Sequence, residues 1–209
     1  MSQTLPVFPL PLCLFRQELL PLHIFEPRYV RMLRVCSEEG SDFVIRPVVK
    51  GMPRRIGTLA RFEKVVTRYS GGRSDVLVRG IATVNISETI PALLPDHADL
   101  VICSLCDFDD DEDKELTLRT DDLLREVLQL MDPVSPYRFR PAARIHEFIH
   151  KIGLSPEQEY ELLQMEDYAG QQQWVVNWLK GLFEHLSAAA RMKQAIAMNG
   201  HFREIKSAE

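Results

Sequence analysis

The 209-residue sequence predicts an α+β chain. Residues 1–108 read as a small antiparallel β-barrel with one inserted helix, and residues 109–209 as an acidic linker and a helical bundle with a long terminal helix. Three observations predict this. Short β-branched runs separated by glycine turns fill the first half. Apolar residues at spacings of three and four fill the second. The charge balance also changes: residues 1–108 carry 13 basic and 11 acidic residues, and residues 109–209 carry 12 and 19.

The elements follow in order. "LPVFPL" and "LLPLHIF" are apolar pieces bounded by prolines, which suits edge strands or strand starts. "EPRYVRMLRVCSEEG" predicts a helix, with Pro27 in its first turn, Tyr29, Met32, Leu33 and Cys36 on one face, and Gly40 as the stop. "DFVIRPVV", "IGTLARFEKVVTRY", "SDVLVRG", "ATVNISETI" and "ADLVICSLCDF" then read as strands with glycines in or beside the gaps. The acidic run "CDFDDDEDKE" reads as a solvated connection. Beyond it, "LTLRTDDLLREVLQLMD", "PAARIHEFIHKIG" and "SPEQEYELLQM" are helix candidates, the last with Ser155, Pro156 and Gln158 spelling a capping box. A long helix from about Tyr168 to Met198 carries Val175, Leu179, Leu182, Leu186 and Ala189 as its stripe, widened by Trp174, Trp178 and Phe183. It is long enough to serve as a spacer or a homodimer contact.

Several function classes are excluded on this reading. No apolar run approaches the roughly 18 to 20 residues of a membrane span, so no membrane role is expected. "MSQTLPVFPLPLCLF" has no basic segment and is broken by prolines, unlike a signal peptide, so a cytoplasmic location is expected. Cys103 and Cys106 form a lone C-x-x-C whose side chains alternate along a strand and cannot share a metal. Asp107, Asp109 and Asp111 have the start of a calcium loop, but Glu112 replaces its glycine and Leu118 its final glutamate. No G-x-S-x-G elbow occurs, and Cys13 and Cys36 lie in apolar settings.

The sharpest false lead is "HEFIHKIG", an H-E-x-x-H motif from His146 to His150. On a helix its two imidazoles share one face and could reach one zinc ion. A third histidine would fall at position 156, which is proline; an acidic third ligand such as Glu159 or Glu166 is conceivable on spacing alone, but the helix argues against it. The stripe Ala142, Ile145, Phe148, Ile149 and Ile152 makes the core face of that helix, leaving His146, Glu147 and His150 on its solvent side. No metal site and no catalytic residue are therefore expected.

A resemblance adds to these readings. "LPVFPLPLCLFRQELLPLHIFEPRYVRML", Leu5 to Leu33, is similar to the opening of the Lon protease N-terminal domain. "GTLARFEKV", "SGGRSDVLVRGI" and "LLQMEDYAGQQQWVVNWLKGLFEHL" resemble its later segments, so the likeness spans most of the chain. It departs at Arg16-Gln17, where the family has Pro-Gly, and at Thr83-Val84, where the family has Arg-Phe. The resemblance implies a PUA-like barrel and a substrate-recognition module. The family's ATPase and Ser-Lys peptidase modules have no counterpart here, since the sequence lacks a G-x-x-x-x-G-K-[ST] loop. The expected function is non-catalytic recognition of unfolded or specific polypeptides, with no cofactor, alongside a separate protease or chaperone. Glu26, Arg28 and Tyr29 carry the polar part of the leading motif and are the candidate binding residues, with the simpler alternative that Glu26 and Arg28 only fix the strand-to-helix junction. RNA binding is the second expectation, because residues 28–79 hold twelve Lys or Arg against five acidic residues. The few aromatics there count against it.

Overall fold

A computed structural model describes residues 2–131 and 144–205, with side chains to residue 196. The chain divides into two compact units, Met1–Asp109 with Ile145–Asp167, and Asp110–Arg144 with Tyr168–Glu209. The acidic run marks the first passage between them. No change of composition marks the other two.

The first unit is built on strands β1 (Ser2–Leu10), β2 (Leu19–Ile24), β3 (Phe43–Val49), β4 (Met52–Pro53), β5 (Ile56–Arg68), β6 (Ser74–Ile90) and β7 (Leu100–Leu105), with helix α1 (Pro27–Glu39) between β2 and β3. The sheet runs β1-β7-β6-β5-β3, and β3 pairs back onto β1. That closing pair is parallel, with Val7 opposite Val44; β1–β7, β3–β5, β5–β6 and β6–β7 are antiparallel. Closure removes most exposed edges. β2 lies outside the ring and pairs with the first part of β6.

β1 is paired on both sides despite its prolines, and the pairing register explains how. The Val7 N–H donates to the Asp99 carbonyl at 2.9 Å, so odd-numbered residues of β1 bond toward β7 and even-numbered ones toward β3. Pro6 faces the β3 side before the β1–β3 ladder begins at Val7. Pro9 faces the β7 side after the β1–β7 ladder has ended. Each missing N–H falls where there is no partner to receive it.

The runs "SDVLVRG" and "ATVNISETI" form one seventeen-residue strand, β6, and do not break at Gly80. A β-carbon at Gly80 would lie 2.0 Å from the Phe15 carbonyl oxygen, so only glycine lets the 14–18 loop cross the strand. Two bonds lock the crossing, Gly80 N–H to Glu18 O at 3.0 Å and Gln17 N–H to Gly80 O at 2.8 Å. Thr58 Oγ1 also donates to the Leu14 carbonyl.

Helix α1 begins at Pro27 and ends at Gly40 in the left-handed conformation, as its sequence predicts. It buries Tyr29, Met32, Leu33 and Cys36 against Phe8, Phe43, Ile45 and Val78. A second cluster fills the barrel, with Val7, Val44, Leu59, Val84, Ile86, Val101 and Cys103. Helix α3 (Pro156–Leu163) starts with both bonds of the predicted capping box. It meets the barrel through Tyr160, whose hydroxyl accepts from Ile56 N–H at 3.2 Å and whose ring lies 5.4 Å from the Arg54 guanidinium carbon.

The segment 145–152 corrects the expectation of a helix. It forms two short 3₁₀ turns, Ile145–Glu147 and Ile149–Lys151. Ile145, Phe148, Ile149 and Ile152 are buried as expected, but His146 is buried with them at 4% exposure. The tighter turns replace the single helical face on which the two histidines were placed. Gly153 ends the segment at φ 77°, and residue 142 lies outside the described residues.

The second unit pairs α2 (Lys114–Met131) with α4 (Tyr168–Ile205), which pack against each other. Buried Gln172 accepts from Asp113 N–H at 2.9 Å and donates to Thr117 Oγ1 at 2.7 Å. The Arg144 guanidinium stacks 3.9 Å over Tyr168 and bonds Asp110 at 2.5 Å. Val175, Val176 and Leu179 are buried, whereas every described side chain from residue 188 to 196 is exposed. No helix among the described residues is long and apolar enough to cross a membrane.

Candidate functional site

Glu26, Arg28 and Tyr29 form one cluster at the start of α1. Arg28 donates to the Glu26 carboxylate from Nε at 3.0 Å and Nη2 at 2.7 Å. Its guanidinium carbon sits 4.7 Å over the Tyr29 ring, which stacks on Phe8 at 4.1 Å. The bond to Glu26 raises the Arg28 pKa, and burial raises that of the Tyr29 hydroxyl. Glu26 occupies the N-cap position but makes no side-chain cap; its carboxylate is spent on Arg28. Tyr29 is a core residue whose ring supports Arg28 from below.

Arg28 lines a groove of about 320 Å³ between α1 and the first residues of β1. Met32, Val35 and Cys36 come from the helix, Leu5 and Pro6 from β1, Ala98 from the approach to β7 and Leu100 from its first position. The rim is charged: Arg28 and Arg31 stand near the start of α1, Glu39 and Asp42 near its end. Arg31 bonds Asp96 at 3.1 Å, which ties the 91–99 loop to the helix, and Arg61 holds Asp42 at 2.7 Å. The helical periodicity that set Met32 and Cys36 in the core also sets Val35 at the edge of the groove. No separate signal for the groove is legible in the sequence, because its walls come from three separated segments, residues 4–6, 28–42 and 97–100.

The other flank of α1 presents exposed apolar groups. Phe25 is 60% exposed and stacks on His23 at 5.9 Å; Tyr69 meets His23 edge-on at 5.7 Å. Asp75 binds His23 Nδ1 and the Tyr69 hydroxyl, each at 2.6 Å. Those two bonds, Tyr69 first, lower the Asp75 pKa. Leu93 and Leu94 are exposed on the loop that Asp96 ties to α1.

Two of the H-E-x-x-H residues, His146 and His150, join a different cluster; His146 is buried, whereas Glu147 and His150 stay exposed as expected. His146 stacks on Phe15 at 4.9 Å and its Nδ1 meets the Arg16 carbonyl at 2.9 Å. His150 lies between two carboxylates, Nδ1 to Glu159 at 2.7 Å and Nε2 to Glu18 at 2.9 Å. Glu18 also accepts from Phe15 N–H at 2.9 Å, and Glu159 from Cys13 N–H at 3.4 Å. Burial lowers the His150 pKa, but the two carboxylates outweigh it and raise it to about 10. Burial, then the same carboxylates, push the Cys13 thiol far above its ordinary range. The arrangement is a cationic clamp between the 13–18 loop, the 3₁₀ turns and α3. Neither imidazole turns toward a shared metal position, and among the described residues no group of three or more candidate ligands converges.

A closed, mainly antiparallel barrel with one inserted helix, joined to a helical unit that ends in a long helix, defines an α+β architecture. The chain belongs to the family of the ATP-dependent protease La (LON) substrate-binding domain, whose model matches residues 4–181. Two similar solved structures agree on the fold. One is a Lon N-terminal domain protein from Xanthomonas campestris, 24% identical, with a TM-score of 0.63, covering 84% of this chain and 98% of its own. The other is the N-terminal domain of a Mycobacterium avium complex Lon protease, 21% identical, TM-score 0.60, covering 85% and 98%. Comparison with curated protein sequences finds no match.

Proposed function

We propose that this domain recognises polypeptide segments without catalysing their cleavage, and that the groove between α1 and β1 receives them. The observation that carries the reading is the groove itself: an apolar floor from Met32, Val35, Leu5 and Leu100 behind a charged rim. Such a surface suits unfolded chains, which offer apolar side chains and backbone without a fixed shape. Arg28 contributes at the rim, Glu26 aims it and Tyr29 supports it. The bound chain would pass to a separate protease or chaperone in the cytoplasm.

The basic residues favour polypeptide over RNA. Arg28, Arg31, Arg61 and Arg79 are each engaged by a carboxylate, and Arg46 bonds the Arg54 carbonyl and Thr89. A phosphate backbone would have to displace those partners.

The test uses reduced, carboxymethylated lactalbumin as an unfolded probe and fluorescence anisotropy as the readout. Val35→Asp places a charge in the groove at a half-exposed position and should weaken binding at least tenfold with little change in Tm. Absence of lactalbumin binding, with tight and salt-sensitive binding of single-stranded RNA, would replace this function with the nucleic-acid one.

A further inference from the structure

The pairing of β1 leaves part of its edge open beside the groove. Residues Ser2–Leu5 pair only with β7; the β1–β3 ladder begins at Val7 opposite Val44, and in that parallel register the Pro6 carbonyl faces the Val44 N–H. The parity set by the Val7–Asp99 bond turns the backbone groups of Ser2 and Thr4 away from β7. Phe8 and Leu10 share that direction and are the residues that meet β3. β3 begins at Phe43 and does not continue alongside Ser2–Leu5; the chain before it is Gly40, Ser41 and Asp42, coming from α1. Among the described residues no segment pairs with this stretch of edge. Thr4, Leu5 and Pro6 are also groove-lining residues, opposite Met32, Val35 and Cys36.

We propose that a polypeptide binds here as an added β-strand, in the lane that β3 leaves open, hydrogen-bonded to the backbone of Ser2 and Thr4. The inference rests on the groove being the polypeptide site and names the form of the ligand: an extended segment of about five residues, given roughly 3.3 Å of strand per residue. Its alternate side chains fall on the apolar floor while the others face solvent. Main-chain bonding explains how one site accepts many sequences: the backbone is common to all of them, and the floor asks only for small or medium apolar residues at alternate positions. The edge is protected against free aggregation in the usual way. It is short, Pro6 removes one donor, and α1 walls one side of the lane.

The experiment measures anisotropy of a fluorescein-labelled peptide of alternating valine and threonine. A second peptide of the same sequence carries N-methyl groups through its central backbone. The full chain is compared with Thr4→Pro, which deletes the edge donor without touching the β7 ladder, and with Thr4→Ala as control. The expected result is binding of the plain peptide, at least a tenfold loss on N-methylation, and a similar loss for Thr4→Pro but not Thr4→Ala, with Tm unchanged. Equal binding of both peptides, or wild-type binding by a folded Thr4→Pro, overturns strand addition while leaving polypeptide recognition standing. Failure to bind either peptide and unfolded lactalbumin overturns both. A dimer that Thr4→Pro dissolves in the absence of peptide would assign the edge to a second copy of the chain and overturn the proposal. The methylated peptide keeps the test decisive even if Thr4→Pro misfolds.

Discussion

His150 sits on one boundary between sequence motif and structural role. Held between Glu18 and Glu159 with 29% of its side chain exposed, it is a cation in the folded protein well above neutral pH. Its pKa rises from the ordinary 6.5 to about 10, so the folded state binds the proton more tightly than the unfolded chain does. The stability it contributes is complete below about pH 6.5 and is lost as pH rises through about 10. Thermal unfolding should show Tm falling between pH 7 and 10 in the wild type, with a flatter profile in His150→Gln. At pH 7 the substitution should cost about 1 to 2 kcal/mol, since solvent screens part of the pairing of the exposed imidazole with the two buried carboxylates it separates. A destabilisation with the same pH profile as wild type would remove His150 from this role. The H-E-x-x-H spelling could not reveal any of this. Sequence spacing assumes a helix; of the two partners, Glu159 follows nine residues later, while Glu18 comes from the start of the chain. The apolar residues of the same stretch were legible, since Ile145, Phe148, Ile149 and Ile152 are buried under either geometry. The same division holds at the candidate site: Glu26, Arg28 and Tyr29 do form one cluster, but the sequence could not say that Arg28 would face a groove and Tyr29 the core.

At the scale of elements, local signals succeeded where the chain decides its own geometry. Helix α1 has its Pro27 start and Gly40 stop, and α3 its Ser155–Gln158 box, because capping involves residues three or four apart. Ser155→Ala should therefore cost about 1 kcal/mol in chemical denaturation, with the slope unchanged. Strand boundaries depended on long-range contact and were less legible. Gly80 looked like a turn and is the middle of β6, required by a carbonyl that lies 65 residues earlier in the chain. Gly80→Ala should destabilise the barrel by about 3 kcal/mol or more, since the nearest obstacle is backbone and cannot rotate away. An effect under about 1 kcal/mol would mean that the 14–18 loop moves aside freely. The prolines of β1 suit an edge strand or a strand start. They are edge signals of a local kind, each placed on the side where a ladder has run out.

Across the whole molecule, apolar burial is unevenly distributed, and stability against local opening should follow it. The barrel carries two buried clusters, and the amides of Val44, Ile45, Val78 and Val84 lie within strands paired on both sides. In the second unit, α4 is anchored through Tyr168, Gln172, Val175, Val176 and Leu179, then runs on with Met192 and Ile196 exposed. The heptad-like stripe that predicted this helix continues past the point where α2 covers it, so periodicity foretold the helix but not where its packing stops. A helix without a packed face is marginal in water, because propagation alone adds little stability per residue. Native-state hydrogen exchange should rank the sites accordingly: slowest at the barrel amides, intermediate at residues 175–179, fastest at residues 188–196. The ranking should not change on tenfold dilution if the chain is monomeric. Protection at 188–196 that matches 175–179 at high concentration and fades on dilution would instead identify that stretch as the contact between two copies, the role its length first suggested.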